Sequence, residues 1–287
     1  MNFQTISPQT TDELLEMIRQ NQGKHFRFGA GYTDLLPELQ SEMEDGLTVI
    51  NLAKLKDDYF ISINLSEDGI RIGALTTMSD VLSSKHLQKF PVLIEAVESL
   101  ASTQIRSVAT VGGNLCTASP AGDVSCALMA LNTSCEILDT DGQIRTVPLT
   151  QFFTGVKTTT LKTNEILRGV LIPRQDSGNK IISGFIKIGN RNSMEIALVS
   201  LAYHIMVDRN GVITKAGAAV GSVAETIKYT ELACEFLLGK KMDRLSEKDK
   251  QTFADHVLEY TNPISDIRAS AWYRRKVLWN VTKSILE

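Results

Sequence analysis

The apolar pattern changes kind at residues 174–180, Arg-Gln-Asp-Ser-Gly-Asn-Lys, and that change limits the fold more than any other feature. Upstream, helical and strand periods alternate. Residues 10–22 set Leu14, Leu15 and Ile18 on one helical face behind an acidic start, Asp12-Glu13. Residues 25–31 and 47–52 read as strands, with a short helix at 34–40 between them that Thr33-Asp34 is placed to cap. Residues 59–77 and 135–149 read as hairpins turning at Glu67-Asp68-Gly69 and Asp141-Gly142. Helices are expected at 78–86, 91–101 and 124–132, and a strand at 165–173. Downstream, three long strands succeed one another over 184–221, and helices at about 224–239, 246–260 and 270–285 end the chain. Alternation, then a run of strands, then helices predicts an α+β chain. Its 287 residues allow two domains, 1–175 and 176–287.

Thirty Lys and Arg against thirty-three Asp and Glu leave a net charge of −3, without the concentrated positive field that nucleic acid requires. No run of about 18 apolar residues is present, so no membrane span is expected. The first fifteen residues lack a basic and then apolar leader pattern, and a cytoplasmic protein is expected. Cys116, Cys126, Cys135 and Cys234 form no C-x-x-C pair and no zinc or iron–sulfur spacing. They read as small buried thiols in a reducing compartment, with no metal on this chain. The four histidines are scattered, and no G-x-S-x-G elbow supports a hydrolase. Arg274-Arg275-Lys276 reads as a solvated helix face.

Two glycine-bearing stretches carry the chemistry. The first, Phe28-Gly29-Ala30-Gly31-Tyr32-Thr33-Asp34, joins a strand to a helix, where free N–H groups can meet an anion or where the chain merely turns. It is neither a G-x-G-x-x-G nor a P-loop. The second runs from Thr110-Val111-Gly112-Gly113-Asn114 through Ser119-Pro120-Ala121-Gly122-Asp123. A long small and polar stretch between apolar helices is costly to order unless something packs on it. Its bare backbone, hydroxyls and Asn amide could line a pyrophosphate, and Asp123 could equally be a simple helix cap. Together they favour a nucleotide-type ligand.

These stretches resemble one family. Phe28 to Leu36 is similar to its first flavin loop, of the form AGGTDL, and Gln104 to Leu115 with Ala118 to Asp123 to its second, QIRNVATIGGNL…ASPAGD. Lys187-Ile188-Gly189-Asn190-Arg191 with Glu195-Ile196-Ala197, and Pro263 to Ser270 with Tyr273-Arg274-Arg275, resemble its C-terminal signatures. The family is the FAD-binding medium subunit of molybdenum hydroxylases, among them xanthine, carbon monoxide and nicotinate dehydrogenases. The resemblance implies a PCMH-type, vanillyl-alcohol-oxidase-like FAD domain of two subdomains, about 1–55 and 56–175. A CO-dehydrogenase-flavoprotein-like domain, a three-stranded sheet with helices, would follow. It further implies that Phe28, Gly29, Ala30, Gly31, Tyr32, Thr33, Asp34 and Leu35 hold FAD together with Thr110, Gly112, Gly113, Asn114 and Ser119. Asp123 would bond near the ribose, Leu167 would pack on a ring of the cofactor, and Lys187 would sit by the isoalloxazine, stabilising negative charge on it. Tyr32 departs from the pattern, since many members carry glycine there, and a positive φ would strain it.

By the same resemblance, the chain is one part of a larger machine, with molybdopterin on a large subunit and [2Fe–2S] clusters on a small one. A dimer of heterotrimers oxidising xanthine or a related purine, with NAD+ as acceptor, is the expectation. A stand-alone flavin oxidoreductase and a flavin-free assembly subunit are the alternatives; turnover without partners marks the first, and absence of a flavin band the second.

Overall fold

The computed structural model describes residues 3–41, 46–175, 178–191 and 194–287. Asp176 and Ser177 of the expected linker lie outside them, as do Asn192 and Ser193. The chain opens with β1 (Gln4–Ile6), α1 (Thr11–Asn21), β2 (Phe26–Gly29), α2 (Leu35–Ser41) and β3 (Thr48–Asn51). The three strands form a parallel sheet in the order β1-β3-β2. Thr10 caps α1 by accepting from the Glu13 N–H, and the predicted face of Leu14, Leu15 and Ile18 is buried. The three-residue strand β1 is too short to show a period, and no sequence signal marks it.

Next come α3 (Asp58–Ile61), β4 (Ile63–Leu65), β5 (Gly69–Gly73), α4 (Met78–Ser83), α5 (Pro91–Glu98), α6 (Thr103–Arg106), α7 (Val111–Thr117) and α8 (Asp123–Ala130). Then follow β6 (Ser134–Asp139), β7 (Ile144–Pro148), β8 (Phe153–Gly155), β9 (Thr158–Thr159) and β10 (Glu165–Pro173). An antiparallel sheet forms in the order β4-β5-β10-β6-β7. The expected hairpin at 59–77 is half right. Its first limb begins as a helical turn, because Asp57 accepts from the Tyr59 N–H and caps it. The stretch 109–123, read as irregular, contains α7; its Gly-Gly pair hides a helix that Thr110 caps.

The last part is β11 (Lys180–Ile188), β12 (Val199–Val207), β13 (Ile213–Gly221), β14 (Lys228–Tyr229), α9 (Glu231–Leu237), α10 (Glu247–Glu259) and α11 (Ala271–Ser284). The expected three strands are present, and β14 adds a fourth at the edge, in the order β11-β12-β13-β14. For that reason the first terminal helix starts at Glu231, not near 224. One face of this sheet packs on α9 and α11; the other packs on α5 and α8. All eight residues of α8 are buried. A helix covered on every side, with only Asp123 and Ser125 polar, belongs in a core, and here it lies between the two parts of the chain. No described helix is long and apolar enough to cross a membrane.

Candidate functional site

The first glycine stretch leaves β2 at Gly29 and enters α2 at Leu35. Tyr32 adopts φ 61, the left-handed region, so the strain expected of a tyrosine there is present. Its ring folds back over Gly29 and joins the apolar cluster of Leu35, Leu39, Leu47 and Val49, which holds the turn in place. Burial raises its phenol above the ordinary tyrosine value. Among the described residues, no group accepts from the backbone N–H of Ala30, Gly31, Tyr32, Thr33 or Asp34. Among the described residues no side-chain hydrogen bond runs from Thr33 or Asp34 to α2, although the Asp34 carbonyl accepts from the Glu38 N–H at 3.1 Å. The Asp34 carboxylate instead accepts from Thr117 Oγ1 at 2.9 Å, which staples this loop to α7. A Cβ on Gly31 would collide with the Val108 carbonyl, so glycine is what lets this turn abut the backbone of Val108 and Ala109, which leads into the second stretch. Phe28 is half-buried on β2, edge to face with Phe26.

The second stretch is more self-contained than its composition suggests. Thr110 Oγ1 accepts from the Gly113 N–H at 3.1 Å, and the Gly112 N–H donates to the Ala74 carbonyl at 2.7 Å, an approach that a side chain at 112 would block. Asn114 Oδ1 accepts from Ser125 N–H at 3.1 Å and Ser125 Oγ at 2.8 Å, capping α8 from α7. Its Nδ2 remains to donate. Ser119 Oγ accepts from the Ala121 N–H. Much of the polarity read as ligand-facing therefore orders the stretch itself.

The pair the sequence did not assemble is Asp123 with Lys187. Lys187 Nζ donates to Asp123 Oδ2 at 2.6 Å and to the Ser99 carbonyl at 3.2 Å, with side-chain exposures of 15% for Lys187 and 6% for Asp123. Asp123 is the first residue of α8 and not its cap, which is Gly122. Its other oxygen, Oδ1, is buried with no hydrogen-bond partner among the described residues. Burial pushes the Asp123 carboxyl up to about 6 against the pull of Lys187. A buried carboxylate oxygen left without a donor is costly, and one facing a place for a polar ligand is explained. Arg106, within the Gln104 to Leu115 motif, was missed as a site residue. Its Nη1 donates to the carbonyls of Glu98, Leu100 and Ala101, clamping the turn that includes Ser99. Thr117 was missed as well. Arg106 lay within the motif, whereas Thr117 falls in the gap between its two halves, and the roles of both are contacts to other segments.

Leu167 is 3% exposed and packed in the main apolar core, so its side chain faces other side chains of this protein. The β10 strand bulges just after it, and Arg168 lies over the Tyr59 ring at 3.7 Å. Two readings are corrected. Arg274 is no part of a solvated face, being 4% exposed and bonded to Leu198, Ser222 and Asp266. Cys116 is exposed, while Cys126, Cys135 and Cys234 are the buried thiols expected.

Residues 1–175 match the family described as FAD binding domain in molybdopterin dehydrogenase, and residues 185–287 that described as CO dehydrogenase flavoprotein C-terminal domain. The chain is 31% identical over 242 residues to the nicotinate dehydrogenase FAD-subunit of Eubacterium barkeri, covering 83% of this chain and 80% of that one. It is 30% identical over 263 residues to the xanthine dehydrogenase FAD-binding subunit of Escherichia coli O157:H7, covering 90% and 86%. With the glyceraldehyde dehydrogenase medium chain of Sulfolobus acidocaldarius it shares 28% over 277 residues, 96% and 94%. Its fold is that of a chain in the reconstituted CO dehydrogenase from Oligotropha carboxidovorans, with TM-score 0.90 at 22% identity over 99% of this chain and 96% of that one. Quinoline 2-oxidoreductase from Pseudomonas putida 86 gives 0.87 at 24%, covering 100% and 96%.

Proposed function

We propose a role for this chain from the premise that it belongs to the FAD-binding subunits of the molybdenum hydroxylase family. The observation that carries the reading is the buried Asp123–Lys187 pair with one carboxylate oxygen unpartnered among the described residues, beside two glycine stretches held together by the Asp34–Thr117 bond. That donor set fits FAD: unengaged N–H groups at 30–34 and Asn114 Nδ2 suit a pyrophosphate, and Asp123 Oδ1 suits a hydroxyl or ring N–H.

Bound FAD supplies a two-electron store between single-electron donors and a hydride acceptor. The chain's own work is to hold and polarise. Lys187 is fixed by Asp123 and the Ser99 carbonyl, so its ammonium is available at one place to favour negative charge. The clamp of Arg106 keeps that carbonyl in position. Asp34 and Thr117 keep the loop at 30–34 against α7. Tyr32, Thr33, Gly113, Thr110 and Ser119 shape the walls, and Leu167 supports them from the core. The assembly we propose is a dimer of heterotrimers in the cytoplasm. Xanthine or a related purine is oxidised at molybdopterin on a large subunit, [2Fe–2S] clusters on a small subunit pass electrons here, and NAD+ accepts them. Relatives named as FAD-subunit, FAD-binding subunit and medium chain support a multi-subunit setting.

The test is to co-purify the chain with its partners and assay NADH formation against xanthine, hypoxanthine and nicotinate. Turnover on a purine with NAD+, and metal and sulfide in the co-purified subunits, supports the reading. Turnover by the chain alone, or none with NAD+ while a dye is reduced, overturns the partner or the acceptor respectively.

A further inference from the structure

Arg274 is buried on α11, and it pays for that position. Its Nε has no hydrogen-bond partner among the described residues, and a buried guanidinium carries a desolvation cost that a helix face turned to water avoids. What it holds is specific. Nη1 donates to the Leu198 carbonyl at 2.7 Å and to the Ser222 carbonyl at 3.0 Å, and Nη2 to Asp266 Oδ1 at 2.9 Å. Asp266 is itself fixed by the N–H groups of Ala269 and Arg268, which hold its carboxyl below the usual range together with Arg274.

Two arms leave that guanidinium. In one, the Leu198 N–H donates to the Ile188 carbonyl at 2.8 Å, closing the base of the β11–β12 connection one residue beyond Lys187. In the other, Ser222, at φ 64, donates its N–H to the Pro120 carbonyl at 2.8 Å. Pro120 stands in the turn closed by the Gly122 N–H on the Ser119 carbonyl, immediately before Asp123. The far ends of the arms are Lys187 and Asp123, which meet at 2.6 Å.

We propose that Arg274 is a positioning residue for the cofactor site: through Leu198 and Ser222 it sets the segments bearing Lys187 and Asp123 at the separation at which they pair. This rests on the reading of that pair as part of an FAD site. A residue that only stabilises α11 needs one partner near its own helix; Arg274 joins three segments, and two of them lead to the same ion pair.

The test uses the full chain with FAD titrated by fluorescence quenching, alongside thermal melting. Arg274→Gln is expected to weaken FAD binding about tenfold, Arg274→Lys to recover part of it, and Asp266→Asn to weaken it less in the same direction. Arg275→Gln is the control, because among the described residues Arg275 bonds Thr261 and joins neither arm. It should cost melting temperature without costing affinity. Wild-type affinity in folded Arg274→Gln overturns the proposal and leaves the FAD reading standing; if that variant does not fold, Asp266→Asn decides in the same way. If the wild-type chain takes up no FAD, that reading falls. The proposal is then decided by carbon-13 NMR of the Asp123 carboxyl in the cofactor-free chain. Arg274→Gln and Asp266→Asn must raise its titration midpoint as Lys187 is released, while Arg275→Gln leaves it in place. An unmoved midpoint overturns the proposal.

Discussion

At the scale of single residues, Asp123 sets the most checkable behaviour. Burial pushes its carboxyl up to about 6 in the fold, while an unfolded aspartate titrates near 3.9. A carboxyl raised on folding stabilises the native state fully below the unfolded value, and loses that stabilisation as pH rises through the folded value. Wild type therefore loses stability relative to Asp123→Asn as pH rises from about 4 to about 6. Urea midpoints of both proteins across that window measure it; a constant difference contradicts it. Tyr32 gives a second test. Alanine at 32 loses the ring's packing and keeps the positive φ, whereas glycine takes that φ freely. Tyr32→Gly should thus be more stable than Tyr32→Ala by about 1 kcal/mol in urea unfolding. A tyrosine at this position could be flagged from the chain alone. The partnership of Asp123 with Lys187, 64 positions away, could not, because only the docking of the C-terminal sheet on α5 and α8 brings them together.

At the scale of elements, α8 is the piece on which the site is hung. Its capping acceptor comes from Asn114 on α7, so the loop that would meet a pyrophosphate and the helix that carries Asp123 are one hydrogen-bonded unit. Asn114→Ala removes that acceptor and should cost about 1 kcal/mol. Asn114→Asp keeps the acceptor, loses the Nδ2 donor and adds negative charge, so it should melt near wild type and bind FAD more weakly. Equal loss of both properties in Asn114→Asp would show that the residue serves only the cap. Strands β10, β12 and β13 were readable because long β-branched and apolar runs end at polar turns. The helix α7 was not, since two glycines argue against any helix; the carbonyls of Ala74 and Thr76 that fix its start belong to a distant turn. The strand β14 was hidden for a related reason. Two residues carry no period, and they are a strand only because β13 offers an open edge.

At the scale of the whole molecule, the two parts of the chain are joined by the same contacts that form the site. The C-terminal sheet lies on α5 and α8, and that docking brings Lys187 to Asp123 and to the Ser99 carbonyl. The glycine stretches and the order of motifs made the family legible in the chain. The charge pair at the junction, and the arginines that hold its surroundings, emerged only with the packing. The central claim is that this junction holds FAD. Titrating FAD into the purified full chain, with Lys187→Met beside it, measures that directly. The account predicts saturable uptake of one FAD per chain and weaker uptake by Lys187→Met. A wild-type chain that is folded by circular dichroism yet takes up no flavin, or a Lys187→Met chain that binds it as tightly as wild type, would contradict it.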